Sequence, residues 1–203
     1  MKKRVKFLFF QEMLTYLDVE GKTVTADAMH CQRETCRRII QRKGDYLFGL
    51  KENQPSLLED VRLFFEDQSN QNEWERSQTV EKNAGQIEKR ICRKIMDISW
   101  LKEHKWPGLQ SVFSIERIVE ARGRHSREIS YYISSRDACA KQLMLLAREH
   151  WKIESMHWIR EGRQNCVNAK IQQQLTMSFS PRNRRNIEKR SLIFHLFLGS
   201  IRH

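Results

Sequence analysis

Two short apolar segments, each followed by a helical pattern, most restrict the folds available to this chain. Residues 22–28 (KTVTADA) and 46–51 (YLFGLK) are apolar on both sides of the strand alternation, as in strands that are covered on both faces. A basic helix is predicted between them, over residues 33–43, and the segment 54–56 (QPS) begins another helix. Strand, helix, strand and helix in this order predict an α/β fold with parallel strands.

The pattern on either side of this unit predicts a helix before it and hairpins after it. Amphipathic spacing predicts a helix over residues 6–18. Residues 77–97 and 110–135 alternate polar and apolar residues around turn sequences, which is typical of antiparallel hairpins. We therefore expect a β-rich region, about residues 75–136, inserted into the α/β unit and followed by a helix over residues 138–161.

Composition changes near the end of the sequence. Residues 163–203 hold 8 basic residues and 1 acidic residue, with low apolar content up to residue 186. We therefore predict one globular domain over residues 1–162 and a basic, poorly ordered tail over residues 163–203. The tail contains a last apolar segment at residues 192–201.

The charge of the whole chain points to a polyanionic partner. Its formal net charge is +12 and its pI is about 9.7, which favours nucleic acid over a membrane surface. Apolar runs such as residues 7–10 are short, far below the ~20 residues that cross a bilayer, and no signal peptide is recognisable. We expect a cytoplasmic protein with no membrane segment. Five scattered cysteines without a CxxC pair argue against a disulfide framework or a zinc knuckle.

Asp27 is an acid at the end of a strand that otherwise reads as fully buried. In open α/β sheets, ligands gather at the carboxyl ends of the strands, so this position favours a functional carboxylate. The alternative is that Asp27 caps the next helix. The sequence alone leaves both interpretations open.

A second candidate acid, Glu154, lies in the predicted last helix. His150, Glu154 and His157 are spaced at i, i+4 and i+7, which places them on one helical face. One interpretation is a zinc site formed by these three residues. The other pairs Glu154 with Asp27, because enzymes that cut DNA hold two divalent ions between carboxylates from distant points of the chain. Oxygen ligands of this kind suit Mg²⁺ or Mn²⁺.

At these residues the chain resembles a known family, the H-repeat-associated transposases, a branch of the DDE transposases of bacterial insertion sequences. The resemblance covers about residues 8–161. It is carried by five segments in order, namely KTVTADAMHCQ (22–32), GDYLFGLKENQPSLLEDV (44–61), HKWPGLQSV (104–112), SREISYYISS (126–135) and LAREHWKIESMHW (146–158).

The resemblance implies a partial RNase H-like fold with a β-rich insertion, and catalysis by an Asp-Asp-Glu triad that holds Mg²⁺ or Mn²⁺. Asp27 matches the family's second Asp and Glu154 matches its Glu, so both are implied as catalytic and metal-binding residues. The implied reaction is DNA transposition by metal-dependent phosphodiester cleavage and strand transfer, with DNA as partner. A homo-oligomer is left open.

Other matched residues are implied as DNA-binding. Lys51, Asn53 and Gln54 match the family's Lys-x-Asn-Gln signature. Arg148 and Trp151 flank the Glu as in the family pattern, and His150 lies between them.

The sequence also departs from the family pattern. The family's first Asp has no counterpart among the 26 residues before Asp27, where Asp18 and Glu20 are the nearby acids. In the insertion, Ala84 and Gln86 replace the expected His and Arg. We therefore expect this chain alone to be inactive, as an N-terminally truncated member with a decayed C-terminus. The alternative is a non-catalytic, basic DNA-binding remnant of a transposase. The loss of the first strands would leave an open apolar edge along residues 22–28.

Overall fold

The computed structural model describes residues 10–83, 85–121, 123–161 and 194–195, and the side chains of residues 68, 83, 152–161 and 194–195 lie outside the description. The helices are α1 (residues 10–16), α2 (Arg33–Gln41), α3 (Pro55–Glu66) and α4 (Ala140–Glu161). The strands are β1 (Thr23–Ala26), β2 (Asp45–Leu50), β3 (Trp74–Asn83), β4 (Gln86–Ile95), β5 (Ser111–Ala121), β6 (Arg124–Ser134) and β7 (Phe194–His195). Within these ranges, no helix combines the length and the apolar character that a membrane span requires.

The strands form one mixed sheet in the order β3-β4-β5-β6-β2-β1-β7. β1 and β2 are parallel, with Thr23 opposite Asp45 and Ala26 opposite Phe48, so the predicted parallel α/β unit is confirmed. All four residues of β1 are buried, as the lack of polar alternation predicted. The two predicted hairpins are also present, as β3-β4 and β5-β6.

The β-rich region continues the sheet of the α/β unit. β6 pairs with β2 in antiparallel orientation, with Leu47 opposite Ser134 and Leu50 opposite Tyr131. The two hairpins therefore extend the same sheet. Their strands alternate apolar and polar residues because one face of the sheet is covered more fully than the other.

Each face of the sheet has its own core. On one face, α1, α2 and α3 pack against the sheet through a cluster that includes Phe10, Leu14, Ile39, Phe48 and Val61. On the other face, α4 covers Leu47, Phe113, Ile115 and Tyr132 with Leu143, Met144 and Ala147. α4 thus crosses the face of the sheet that includes both hairpins and β2.

The edge of β1 that is turned away from β2 is paired in part. Val24 lies opposite Phe194 and Thr25 lies opposite His195 in the parallel pair β1-β7. The expectation of an open edge along residues 22–28 is therefore wrong at these two positions. β7 falls within the predicted last apolar segment, and the rest of the predicted tail, residues 163–193 and 196–203, lies outside the described residues.

Candidate active site

A large cavity lies where β2 ends and β6 continues. β2 ends at Leu50, opposite Tyr131, whereas β6 extends further along residues 124–130. The resulting cavity has a volume of about 1380 Å³ and is lined by the carboxyl ends of β1 and β2, by β6 and by α4. Carboxyl ends of parallel strands are where α/β folds place ligands, so this cavity is the candidate site.

Asp27 lies at the mouth of this cavity. It directly follows the buried strand β1, and its side chain is exposed. Its backbone carbonyl oxygen accepts a hydrogen bond from the His30 amide at 2.8 Å, but its carboxylate makes no capping hydrogen bond to the turn Ala28–His30. The capping interpretation is therefore wrong, and within the described part of the chain the Asp27 carboxylate is free to bind a ligand.

Asn53 and Gln54 hold the loop that follows Asp27. The Asn53 side-chain amide donates to the carbonyl oxygens of Ala28 at 2.7 Å and Cys31 at 3.2 Å. The Gln54 amide donates to the same Cys31 oxygen at 3.0 Å. The signature residues after β2 thus tie this loop to the loop after β1. Lys51, from the same signature, is exposed and lines the cavity.

Replacing Asn53 by alanine is expected to loosen the loop at residues 28–31. The change removes two hydrogen bonds to backbone carbonyls, which together contribute roughly 1–2 kcal/mol. Amide hydrogen exchange at residues 28–31 should accelerate by about tenfold. Asn70→Ala is the matched control, because Asn70 donates to the Phe64 carbonyl at 3.1 Å elsewhere in the fold. Equal exchange at residues 28–31 in both variants would contradict the assignment.

α4 reaches the candidate site through His150. Its side chain is buried, and its Nδ1 lies 3.2 Å from the Thr25 hydroxyl in a hydrogen bond whose donor depends on the histidine tautomer. Thr25 precedes Asp27 by two residues. The helical face that carries His150 therefore packs against β1 at this residue.

Glu154 lies in α4, but its side chain and that of His157 are outside the described side chains. Its backbone position is one turn after His150, about 6 Å further along the helix axis and on the same helical face. Trp151 lines the cavity and lies 6.1 Å from Tyr132 between ring centroids. The structure thus brings Asp27, Lys51, Asn53, His150 and Trp151 to one cavity.

An ion-pair network joins α4 to the hairpins. The Arg148 guanidinium binds Glu81 through both carboxylate oxygens, with a distance of 2.6 Å from Nη2 to Oε2. Arg90 lies 3.5 Å from the same Glu81 carboxylate and 2.8 Å from Glu88, which also pairs with Arg117. The hydrogen bond from Arg148 is the main cause that lowers the pKa of Glu81, so Glu81 is ionised at neutral pH.

Sequence reasoning missed this network. Glu88 and Arg90 are spaced at i, i+2 in β4, which places them on one face of the sheet. This spacing is the sequence feature from which part of the network could have been predicted. The partner across the sheet, Arg117, comes from β5, and the partner from the helix is Arg148, which the sequence analysis assigned to DNA.

Charges in the cavity are balanced. Its lining contains the cationic residues Lys51, Arg62, Arg90, Arg117 and Arg148 and the acidic residues Asp27, Glu52, Glu81, Glu88 and Glu128. Of these acids, Asp27, Glu52 and Glu128 are exposed and make no ion pair with a described residue. The described side chains form no group of three His, Cys, Asp or Glu residues suited to a metal ion.

The two nearest acids upstream of Asp27, Asp18 and Glu20, lie at the opposite end of β1. Asp18 pairs with Lys22, and Glu20 lies 3.2 Å from the Lys43 ammonium group. The connection between them and β1 turns at Gly21, which has a φ of +66°, a conformation that favours glycine. Neither acid is therefore close to the carboxyl end of β1, where Asp27 begins the next loop.

Comparison with known families gives one match that covers most of the chain. The family described as "Transposase DDE domain" matches residues 9–177. This range includes Asp27, Glu154 and the whole of the described sheet except β7.

Two curated relatives illustrate the similarity. The chain is 37% identical over 128 residues to the "Uncharacterized protein in dhlA 3'region" of Xanthobacter autotrophicus, covering 63% of this chain and 43% of that protein. It is 31% identical over 172 residues to the "H repeat-associated putative transposase YhhI" of Escherichia coli, covering 79% and 44%. The chain therefore spans less than half the length of these relatives. No solved structure matches the chain.

Proposed function

Because the chain belongs to the transposase DDE domain family, we propose that it carries part of a metal-dependent centre for DNA cleavage and strand transfer during transposition of an insertion sequence. The single observation that supports this proposal most is the free, exposed carboxylate of Asp27 at the carboxyl end of a buried strand. The fold in the proposal is RNase H-like, which the mixed sheet is consistent with.

In this proposal Asp27 and Glu154 face one another and hold Mg²⁺ or Mn²⁺. Carboxylate oxygens are suitable ligands for these ions. The support is that His150, one turn before Glu154, contacts Thr25, two residues before Asp27. Residues two apart in a strand point to the same face, about 6.6 Å apart. Bound ions of this class activate an attacking oxygen and stabilise a leaving oxygen.

The remaining site residues have different tasks in the proposal. Asn53 and Gln54 fix the loop that begins with Asp27, and His150 fixes α4 against β1. Lys51 is exposed beside Asp27 and is suited to contact a phosphate of the DNA. Arg148 and Trp151 line the same cavity from α4. The proposal also includes contact with DNA by Lys51, Asn53, Gln54, Arg148, His150 and Trp151. A cytoplasmic location and assembly of more than one copy are further parts of it.

We expect weak, sequence-tolerant DNA binding with a steep salt dependence. The net charge of +12 supports phosphate contacts, and each contact contributes about −0.9 to the slope of log affinity against log salt. Fluorescence anisotropy with a duplex oligonucleotide measures this slope. Lys51→Ala should reduce its magnitude by about 0.9. Lys43→Ala, at the other end of the β1-β2 pair, is the matched control. An affinity independent of salt would contradict the prediction.

We also expect this 203-residue chain alone to lack strand-transfer activity, even with abundant Mg²⁺. A two-metal site requires carboxylates that flank and bridge both ions, and the nearest upstream acids, Asp18 and Glu20, pair with lysines at the opposite end of β1. Incubation with supercoiled plasmid tests this, with Asp27→Ala as the control. Nicking or joining that depends on Asp27 would show that another acid completes the site, and Glu52 is then the first residue to replace.

The second candidate function is a non-catalytic, basic DNA-binding remnant of a transposase. The position of Asp18 and Glu20, which pair with lysines at the opposite end of β1 from Asp27, favours it. Metal binding distinguishes the two candidates. A centre formed by Asp27 and Glu154 binds Mn²⁺ in a manner that depends on both acids, whereas a remnant binds DNA with the same affinity in Mn²⁺ and in a chelator.

A further inference from the structure

The carboxylate of Glu81 binds the guanidinium group of Arg148 inside the cavity that contains Asp27. Both side chains line this cavity. Arg148 contacts both oxygens of the carboxylate, with a distance of 2.6 Å from Nη2 to Oε2. Carboxylates and phosphates accept a pair of hydrogen bonds from arginine in the same geometry. A backbone phosphate of DNA can therefore take the place of the Glu81 carboxylate on Arg148.

Arg148 is the cation of this network that loss of Glu81 would release. Arg90 lies 3.5 Å from Glu81 but 2.8 Å from Glu88, so it retains a carboxylate partner when Glu81 is removed. Arg148 forms no ion pair with any other described carboxylate. A quarter of its side chain is exposed to solvent, so a ligand in the cavity can reach it.

The acids of the cavity cancel a charge that would otherwise attract DNA. The chain as a whole carries a net charge of +12, yet the cavity lining holds as many acidic residues as lysines and arginines. Since phosphate contacts depend on uncompensated positive charge, a neutral cavity binds DNA less well than a basic one. The hydrogen bond from Arg148 is the main cause that lowers the pKa of Glu81, so this acid carries its charge at neutral pH.

We infer that Glu81 competes with the DNA backbone for Arg148 and thereby weakens DNA binding, and the inference rests on the proposed function. The ligand of Arg148 is a phosphodiester, which displaces the Glu81 carboxylate and accepts its two hydrogen bonds. DNA that reaches Arg148 must first break the ion pair. The pair therefore disfavours DNA that makes no further contact in the cavity, for example with Lys51, which lines the same cavity.

Fluorescence anisotropy of the full chain with a duplex oligonucleotide in EDTA tests this inference. Glu81→Gln removes the competing charge, so it should tighten binding by about tenfold at low salt and steepen the slope of log affinity against log salt by about 0.9, the value of one phosphate contact. Glu81→Thr introduces a β-branched residue suited to a strand and should have the same effect. An ion pair with a structural role alone would give weaker or unchanged binding.

Two controls separate the ion pair from the net charge. Glu34→Gln removes the same charge from α2, where Glu34 pairs with Arg37 and Arg38, and it should tighten binding much less than Glu81→Gln does. The second control repeats the test without Arg148. Adding Glu81→Gln to Arg148→Ala should increase affinity by no more than Glu34→Gln does in the unmodified chain.

The possible results lead to different conclusions. If Glu81→Gln and Glu81→Thr bind DNA no more tightly than Glu34→Gln, the inference is overturned. A gain that persists in full in the Arg148→Ala background also overturns it, because another group then binds the phosphate. If the unmodified chain binds no duplex at low salt, the DNA contact in the proposed function fails instead. Circular dichroism confirms that each variant compared is folded.

Discussion

Replacing Asp27 by asparagine is expected to reduce the affinity for Mn²⁺ by at least about tenfold. Asparagine retains the size of the side chain but removes the negative charge, and ligand charge is a main determinant of divalent-ion affinity. A tenfold loss corresponds to about 1.4 kcal/mol. Because the Asp27 side chain is exposed and makes no capping hydrogen bond, the free energy of unfolding should change little. Isothermal titration calorimetry measures the affinity, and thermal unfolding measures the stability.

Asp18→Asn is the matched control for this variant. Asp18 is also exposed, but it lies before the opposite end of β1 and pairs with Lys22. Its replacement should leave Mn²⁺ affinity unchanged. Glu154→Gln should match the loss seen for Asp27→Asn if both carboxylates bind the same ion. If both variants bind Mn²⁺ as tightly as the unmodified chain, the proposed metal site is refuted, and the DNA-binding remnant becomes the better description.

Replacing Phe48 by alanine is expected to lower the free energy of unfolding more than any other substitution proposed for this chain. Phe48 is fully buried in β2, pairs opposite Ala26 of β1 and stacks on Tyr46 at 5.4 Å between ring centroids. Truncating a buried phenylalanine costs about 3–5 kcal/mol, because the lost apolar contact leaves a cavity. Chemical denaturation measures the free energy of unfolding. Tyr16→Ala removes an aromatic ring that is 80% exposed and should change stability by less than about 0.5 kcal/mol.

Several elements of the fold follow from local sequence. β1 and β2 are identified by apolar residues on both sides of the alternation, and both hairpins by alternation around turns. These signals depend on which side chains are covered, and that is visible over five to ten residues. The pairing of β6 with β2 is not visible in this way. It depends on which distant strand gives the best packing, and no short pattern encodes that choice.

Only part of the candidate site could be predicted, because contacts between distant segments are not visible in a short sequence pattern. The position of Asp27 follows from the strand pattern, whereas the hydrogen bonds of Asn53 to Ala28 and Cys31 depend on how two loops meet. The family resemblance marked Asn53 without giving its contacts. Arg148 is a second example. The family resemblance implied that it binds DNA, whereas its guanidinium group binds Glu81 in the structure.

The pairing of β6 with β2 makes the hairpins part of a single cooperative unit. A deletion of residues 74–134 would remove β6 and leave the β2 edge unpaired from Leu47 to Leu50. It would also remove Phe113, Ile115 and Tyr132, which pack against Leu143 and Ala147 of α4. Because both cores combine residues of the hairpins with residues of β1 or β2, we expect the described part of the chain to unfold in one cooperative transition.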